Sequence, residues 1–182
     1  MKTMFRSFAM LAVASLILLA PAAQAQFAPT GTTTVSVTVA AEAAIRIDTP
    51  NTVLTNAAPF SNYTGTTNYT YKIRTGKAAG TGSVTLQVTS DFAPGLVGPS
   101  VASPLTAGDV LAYTCSVAAP GTACAGPINS STAAATSVAT FGANARSAVA
   151  GNAGSVDWTL TNDPLYETGS YSATVTFTIS AT

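Results

Sequence analysis

From Thr33 to Ile47 the chain reads TTVSVTVAAEAAIRI, and the odd positions Val35, Val37, Val39, Ala41, Ala43, Ile45 and Ile47 are all apolar. A period of two sustained this far predicts a strand with one face turned inward. The end of the chain repeats the pattern through Tyr171, Ala173, Val175, Phe177 and Ile179. Small residues and Glu42 between Ala40 and Ala44 separate a Val/Thr half from an Ile half, and predict a bend or a change of sheet there.

Further strands are predicted at Asn68 to Thr75, with Tyr69, Tyr71 and Ile73 sharing a face, and at Ser83 to Thr89, with Val84, Leu86 and Val88 inward. Val110 to Val117, Thr136 to Phe141 and Ser155 to Thr161 follow, the last with Val156, Trp158 and Leu160 on one side. The segment after Pro50 is rich in Asn and Thr and reads as a loop. Asp91 to Gly108 carries Pro94, Pro99 and Pro104 with Gly95, Gly98 and Gly108, too many breakers for a central strand, so it reads as a long surface connection. About eight strands and no amphipathic helix after the leader predict an all-β antiparallel sandwich with Greek-key connections.

The leader itself has Lys2 and Arg6, an apolar block from Phe8 to Ala20, Pro21, and the triplet Ala23-Gln24-Ala25. That is the layout of a secretory signal peptide, residues 1–25, cut after Ala25. The apolar block is shorter than the roughly 18 residues of a spanning helix, and no later stretch approaches that length. Residues 26–182 are then expected to form one β-sandwich domain, secreted to the cell surface or medium by way of an oxidising compartment. Cys115 and Cys124 flank a Pro120-Gly121 turn signal in YTCSVAAPGTAC, and in an exported chain they are expected to close this loop as a disulfide.

Beyond residue 25 the bases Arg46, Lys72, Arg74, Lys77 and Arg146 face the acids Glu42, Asp48, Asp91, Asp109, Asp157, Asp163 and Glu167. Nothing here is basic enough to hold nucleic acid. Charged residues are 8% of the chain, against about 25% in ordinary domains. So little charge leaves weak protection against self-association, which suits a protein that packs against its own copies.

Candidate chemistry is sparse. The chain has no His, which removes Ser-His-Asp and Cys-His arrangements together with the usual general base. Two thiols are too few for a usual zinc shell. Asp157, Asp163 and Glu167 lie close enough in sequence to suggest a carboxylate pair or a calcium site, yet lack calcium-loop spacing and read better as a strand face and a turn before Pro164. No catalytic, cofactor-binding or metal-ligating residue is expected, and the protein is not expected to be an enzyme. Phe60, Tyr63, Tyr69 and Tyr71 could form a sugar-stacking platform, although Tyr69, Tyr71 and Trp158 alternate with aliphatic neighbours as core residues do. Asn62, Asn68 and Asn129 each head an Asn-x-Ser/Thr sequon.

The two ends carry a family resemblance. VSVTVAAEAAIRI resembles the N-terminal segment of alpha-class, colonisation-factor type fimbrial pilins and of spore-coat-U-like secreted proteins, and GSYSATVTFTIS is similar to their closing strand. The resemblance implies an immunoglobulin-type, pilin-like sandwich that polymerises by donor-strand exchange, a form of β-augmentation. It makes residues 33–39 the candidate donor strand, with Val35, Val37 and Val39 as its knobs and Ala40 to Ala44 as a hinge. The expected function is a self-assembling, adhesive filament subunit. A monomeric module binding a surface polysaccharide is the alternative, in which Thr33 to Ile47 is an ordinary first strand.

Overall fold

The structure, a computed structural model, describes residues 30–92 and 97–182. The predicted signal peptide and its cleavage point lie outside the described residues. Among the described residues nine strands form: β1 (Glu42–Ile47), β2 (Tyr63–Arg74), β3 (Gly82–Ser90), β4 (Leu111–Val117), β5 (Thr122–Ala123), β6 (Ile128–Asn129), β7 (Thr136–Phe141), β8 (Asn152–Leu160) and β9 (Thr174–Ala181). They make two antiparallel sheets, one ordered β1-β2-β8-β4-β6 and the other β5-β7-β3-β9. From β2 onward every connection passes from one sheet to the other. The all-β sandwich read from the alternation is therefore the fold.

The core lies where alternation on facing strands meets. Tyr69, Tyr71 and Ile73 from β2 and Val156, Trp158 and Leu160 from β8 face Val84, Leu86 and Val88 from β3, and all are buried. Removing such side chains from water is the main term favouring the fold, at roughly 25 cal/mol per Å² of apolar surface. Tyr69 is opposite Gly154 in the β2–β8 register, and a Cβ there would sit 2.3 Å from the Tyr69 ring. Glycine is thus required in mid-strand because an aromatic ring occupies the space above it.

Three expectations are corrected. The strand predicted from Thr33 begins only at Glu42, since residues 30–41 pair with no strand. Ala43 and Ala44, assigned to the hinge, instead pair with Ile73 and Lys72, and Glu42 forms an ion pair with Arg74 at 2.9 Å. Only Ala40 and Ala41 remain as the connector. On β2, the strand predicted from Asn68 starts at Tyr63. Its threonine-rich first half is held because buried Thr67 accepts the Trp158 indole N–H at 2.8 Å and shares a 2.5 Å hydrogen bond with Thr52.

Candidate functional site

The two lateral sides of the sandwich differ. On one, Cys115 of β4 is bonded to Cys124 just beyond β5, with Cα atoms 5.5 Å apart. Because β4 and β5 belong to different sheets, the predicted disulfide staples the sheets together. The Cys124 N–H donates to Val138 O at 3.0 Å, fixing the loop on β7. Tyr113, buried on β4, closes the same side by bonding its hydroxyl to Thr136 and to the Ser137 carbonyl, both at 2.8 Å.

The other side is formed by β1 and β9, the last strands of their respective sheets, which lie against each other across the gap. Each is paired along one edge only, so its second row of backbone N–H and C=O groups is unpaired among the described residues. Such an edge is a template for another strand. The inward side chains Ala43, Ile45 and Ile47 of β1 and Val175, Phe177 and Ile179 of β9 pack on the core but are only half-buried. Phe177 approaches Tyr69 with ring centroids 6.0 Å apart, so the seam leads directly to the centre of the core.

The candidate donor residues are unpaired and exposed: Val35 by 91%, Val37 by 84% and Val39 by 62%. Three branched apolar side chains at two-residue spacing, all open to water, are unusual for a chain at rest. The connector after them is held by Arg74, whose Nε donates to Ala40 O at 2.8 Å.

At the Ile47 end the seam widens into a cleft of about 1170 Å³, lined by Tyr63, Phe92, Trp158, Val175 and Phe177 among others. Phe60 stands at this cleft, 69% exposed and at φ +57, a conformation that non-glycine residues seldom adopt. Its turn is fixed by the Ala58 N–H donating to Ser61 Oγ at 3.0 Å and by Ser61 N–H donating to Ala58 O at 3.1 Å. Neighbouring Asn162 donates to Ser61 O at 3.0 Å.

The four aromatic residues considered as a sugar platform are divided. Tyr69 and Tyr71 are core residues, and Phe60 and Tyr63 line the cleft. Burial, then the neighbouring Tyr71, pushes the Tyr69 phenol up to about 12, and its buried hydroxyl finds no partner among the described residues. The carboxylates considered together are also separated. Asp157 lies on the outer face of β8, accepting from Thr66 at 2.6 Å, whereas Asp163 and Glu167 belong to the β8–β9 loop. Hydrogen bonds from Thr106 and the Leu165 N–H hold Asp163 below the usual carboxylate range. Tyr166 donates to Asp109 at 3.0 Å; burial and then that acid push its phenol up. The sequon residues Asn62, Asn68 and Asn129 are all exposed.

Sequence reasoning missed the organising role of Asp91. Burial raises its pKa, but N–H groups of Val101, Ala102 and Phe92 and the Ser100 hydroxyl outweigh this and leave it below the usual range. An acid followed by a Pro/Gly-rich stretch is the only signal, and it does not say which amides will return.

Among the described residues no helix is long and apolar enough to cross a membrane. Comparison with protein-family models, with curated proteins and with solved structures gives no match.

Proposed function

We propose that this protein is a secreted structural subunit that assembles with its own copies by strand addition, residues 33–39 of one copy entering the β1–β9 seam of another. The carrying observation is the coexistence of an open core seam and an unpaired segment with three exposed valines at two-residue spacing. Their dimensions agree: at about 3.3 Å per residue, residues 33–39 span about 23 Å and β9 about 26 Å. The backbone of the entering strand supplies hydrogen bonds to an unpaired edge, and Val35, Val37 and Val39 cover the half-open side chains of β1 and β9. Burying three valines contributes on the order of 5 kcal/mol before ordering costs. This is the pilin-like reading suggested by the two ends of the sequence, and it carries a cell-surface, adhesive role. The disulfide supports passage through an oxidising compartment.

The test is electron microscopy and size-exclusion chromatography of residues 26–182 beside a variant with Val35, Val37 and Val39 all replaced by Asp. Filaments from the first and monomers with an unchanged circular-dichroism spectrum from the second are expected. A stable monomer from the unaltered chain, or filaments from both, contradicts the proposal.

Phe60 supports one rival, a monomeric module that takes a surface polysaccharide in the cleft. Glycan binding by a monodisperse monomer, lost in Phe60→Ala, would favour it.

A further inference from the structure

Charge is sparse in this chain, and the fold sorts it. The β2–β8 and β3–β9 registers define two ends of the sandwich, one marked by Arg74, Asn152 and Ala181 and the other by Tyr63, Leu160 and Thr174. Lys72 and Arg74 close β2 at the first end, Lys77 lies in the β2–β3 turn, and Arg146 lies in the β7–β8 loop bridged to Arg74. Glu42 is the one acid there, and it is paired with Arg74. At the opposite end stand Asp91 after β3, Asp109 before β4, and Asp163 and Glu167 in the β8–β9 loop, with no base among them. Arg46 and Asp48 pair with each other at 2.6 Å between the ends. Four of the five bases beyond residue 25 are thus at one end and four of the seven acids at the other. Among the described residues Lys72, Lys77 and Arg146 reach no acid, and the four acids of the far end reach no base.

We infer that copies stack end to end, the basic end of one on the acidic end of the next. The inference rests on the strand-addition reading, which limits where a neighbour can sit. Only Ala40 and Ala41 separate Val39 from β1, and Arg74 binds Ala40 O, so the connector leaves from the basic end. A copy whose Val39 lies in a seam therefore has its basic end within about 10 Å of one end of that seam. Docking on the acceptor's own basic end would oppose Lys72, Lys77 and Arg146 to their copies. Docking on the acidic end opposes them to Asp91, Asp109, Asp163 and Glu167. The second contact joins unlike surfaces, so it leaves a free end of each kind and propagates instead of closing as a dimer. With little other charge on the surface, this pairing also steers the approach.

The test uses residues 26–182 and light scattering at low and high salt. Lys77→Glu with Arg146→Glu leaves Lys72 and Arg74 against Glu42 and two new acids, and Glu167→Lys with Thr168→Lys leaves Asp91, Asp109 and Asp163 against two new bases, so each changed end keeps only a small negative charge. All four positions are exposed and outside the strands. Each double variant alone is expected to assemble about tenfold or more slowly than the unaltered chain at low salt, and an equimolar mixture to form two-copy species, the intact basic end of the second on the intact acidic end of the first, without recovering longer assembly. Salt is expected to shrink the differences as the screening length falls from about 30 Å at 0.01 M to about 3 Å at 1 M. A synthetic TTVSVTVA peptide should bind both variants as it binds the unaltered chain, which shows that the seam is intact. Peptide binding with unchanged assembly rates, or slow variants whose mixture forms no two-copy species, overturns the stacking while leaving strand addition standing. Failure of the peptide to bind the unaltered chain overturns strand addition and the stacking with it.

Discussion

The stapled side and the open side of the sandwich are built from the same sequence pattern and reach different ends. Val156, Trp158 and Leu160 on β8 alternate with polar residues as Val175, Phe177 and Ile179 on β9 do, yet the first three are buried and the second three half-open. The difference is the neighbours. β8 lies between β2 and β4, whereas β9 is paired with β3 alone. An alternating strand thus states which face turns inward, and the topology decides whether that face is covered.

The comparison is broken most strongly from the closed side. Trp158→Ala removes the largest side chain of β8 and leaves Thr67 without its indole donor, so it should cost about 3 to 5 kcal/mol in urea denaturation. Removing the staple by Cys115→Ser with Cys124→Ser should cost about 2 to 3 kcal/mol by loop entropy. On the open side, Phe177→Ala in the unassembled chain should cost less than the change at Trp158, about 2 kcal/mol, because part of the ring is already in water. Its larger effect should appear in peptide binding, weakened about tenfold, since the pocket for a valine knob is lost. A Phe177→Ala cost as large as that of Trp158→Ala would mean that the two sides are equally closed.

The smallest expected effect has the opposite sign. Tyr69→Phe removes a buried hydroxyl without a partner among the described residues and should stabilise the fold by about 1 kcal/mol. The Tyr69 phenol keeps its proton to about 12 in the folded chain against 10.0 ordinarily, so the folded state binds that proton more tightly. The resulting stability is present below pH 10 and is lost as pH rises toward 12. Tyr69→Phe should flatten part of that alkaline loss.

Much of the sandwich was legible because its chemistry is local. Thr136 to Phe141 is a strand with the predicted bounds, β3 and β4 differ from prediction by a residue or so at their ends, and the disulfide closes around Pro120-Gly121. The Tyr63 to Thr67 half of β2 was not legible, since threonines and a glycine carry no inward pattern and are held by partners as distant as Trp158. β5 and β6, with two residues each, are too short to have a period. Of the candidate site, the valine face of residues 33–39 could be read, but its lack of a strand partner could not. The charge sorting was likewise hidden, because Lys77 and Arg146 come to the same end only through a fold that brings the β2–β3 turn beside the β7–β8 loop, where Asn144 N–H donates to Gly76 O.

The most direct test is hydrogen exchange on the monomeric Val35/Val37/Val39→Asp variant with and without added TTVSVTVA peptide. Strand addition predicts slowed exchange confined to amides along the open edges of β1 and β9, while β8 and β4 are unchanged. Exchange at β1 and β9 that is indifferent to the peptide, or already as slow as at β8, would contradict the account.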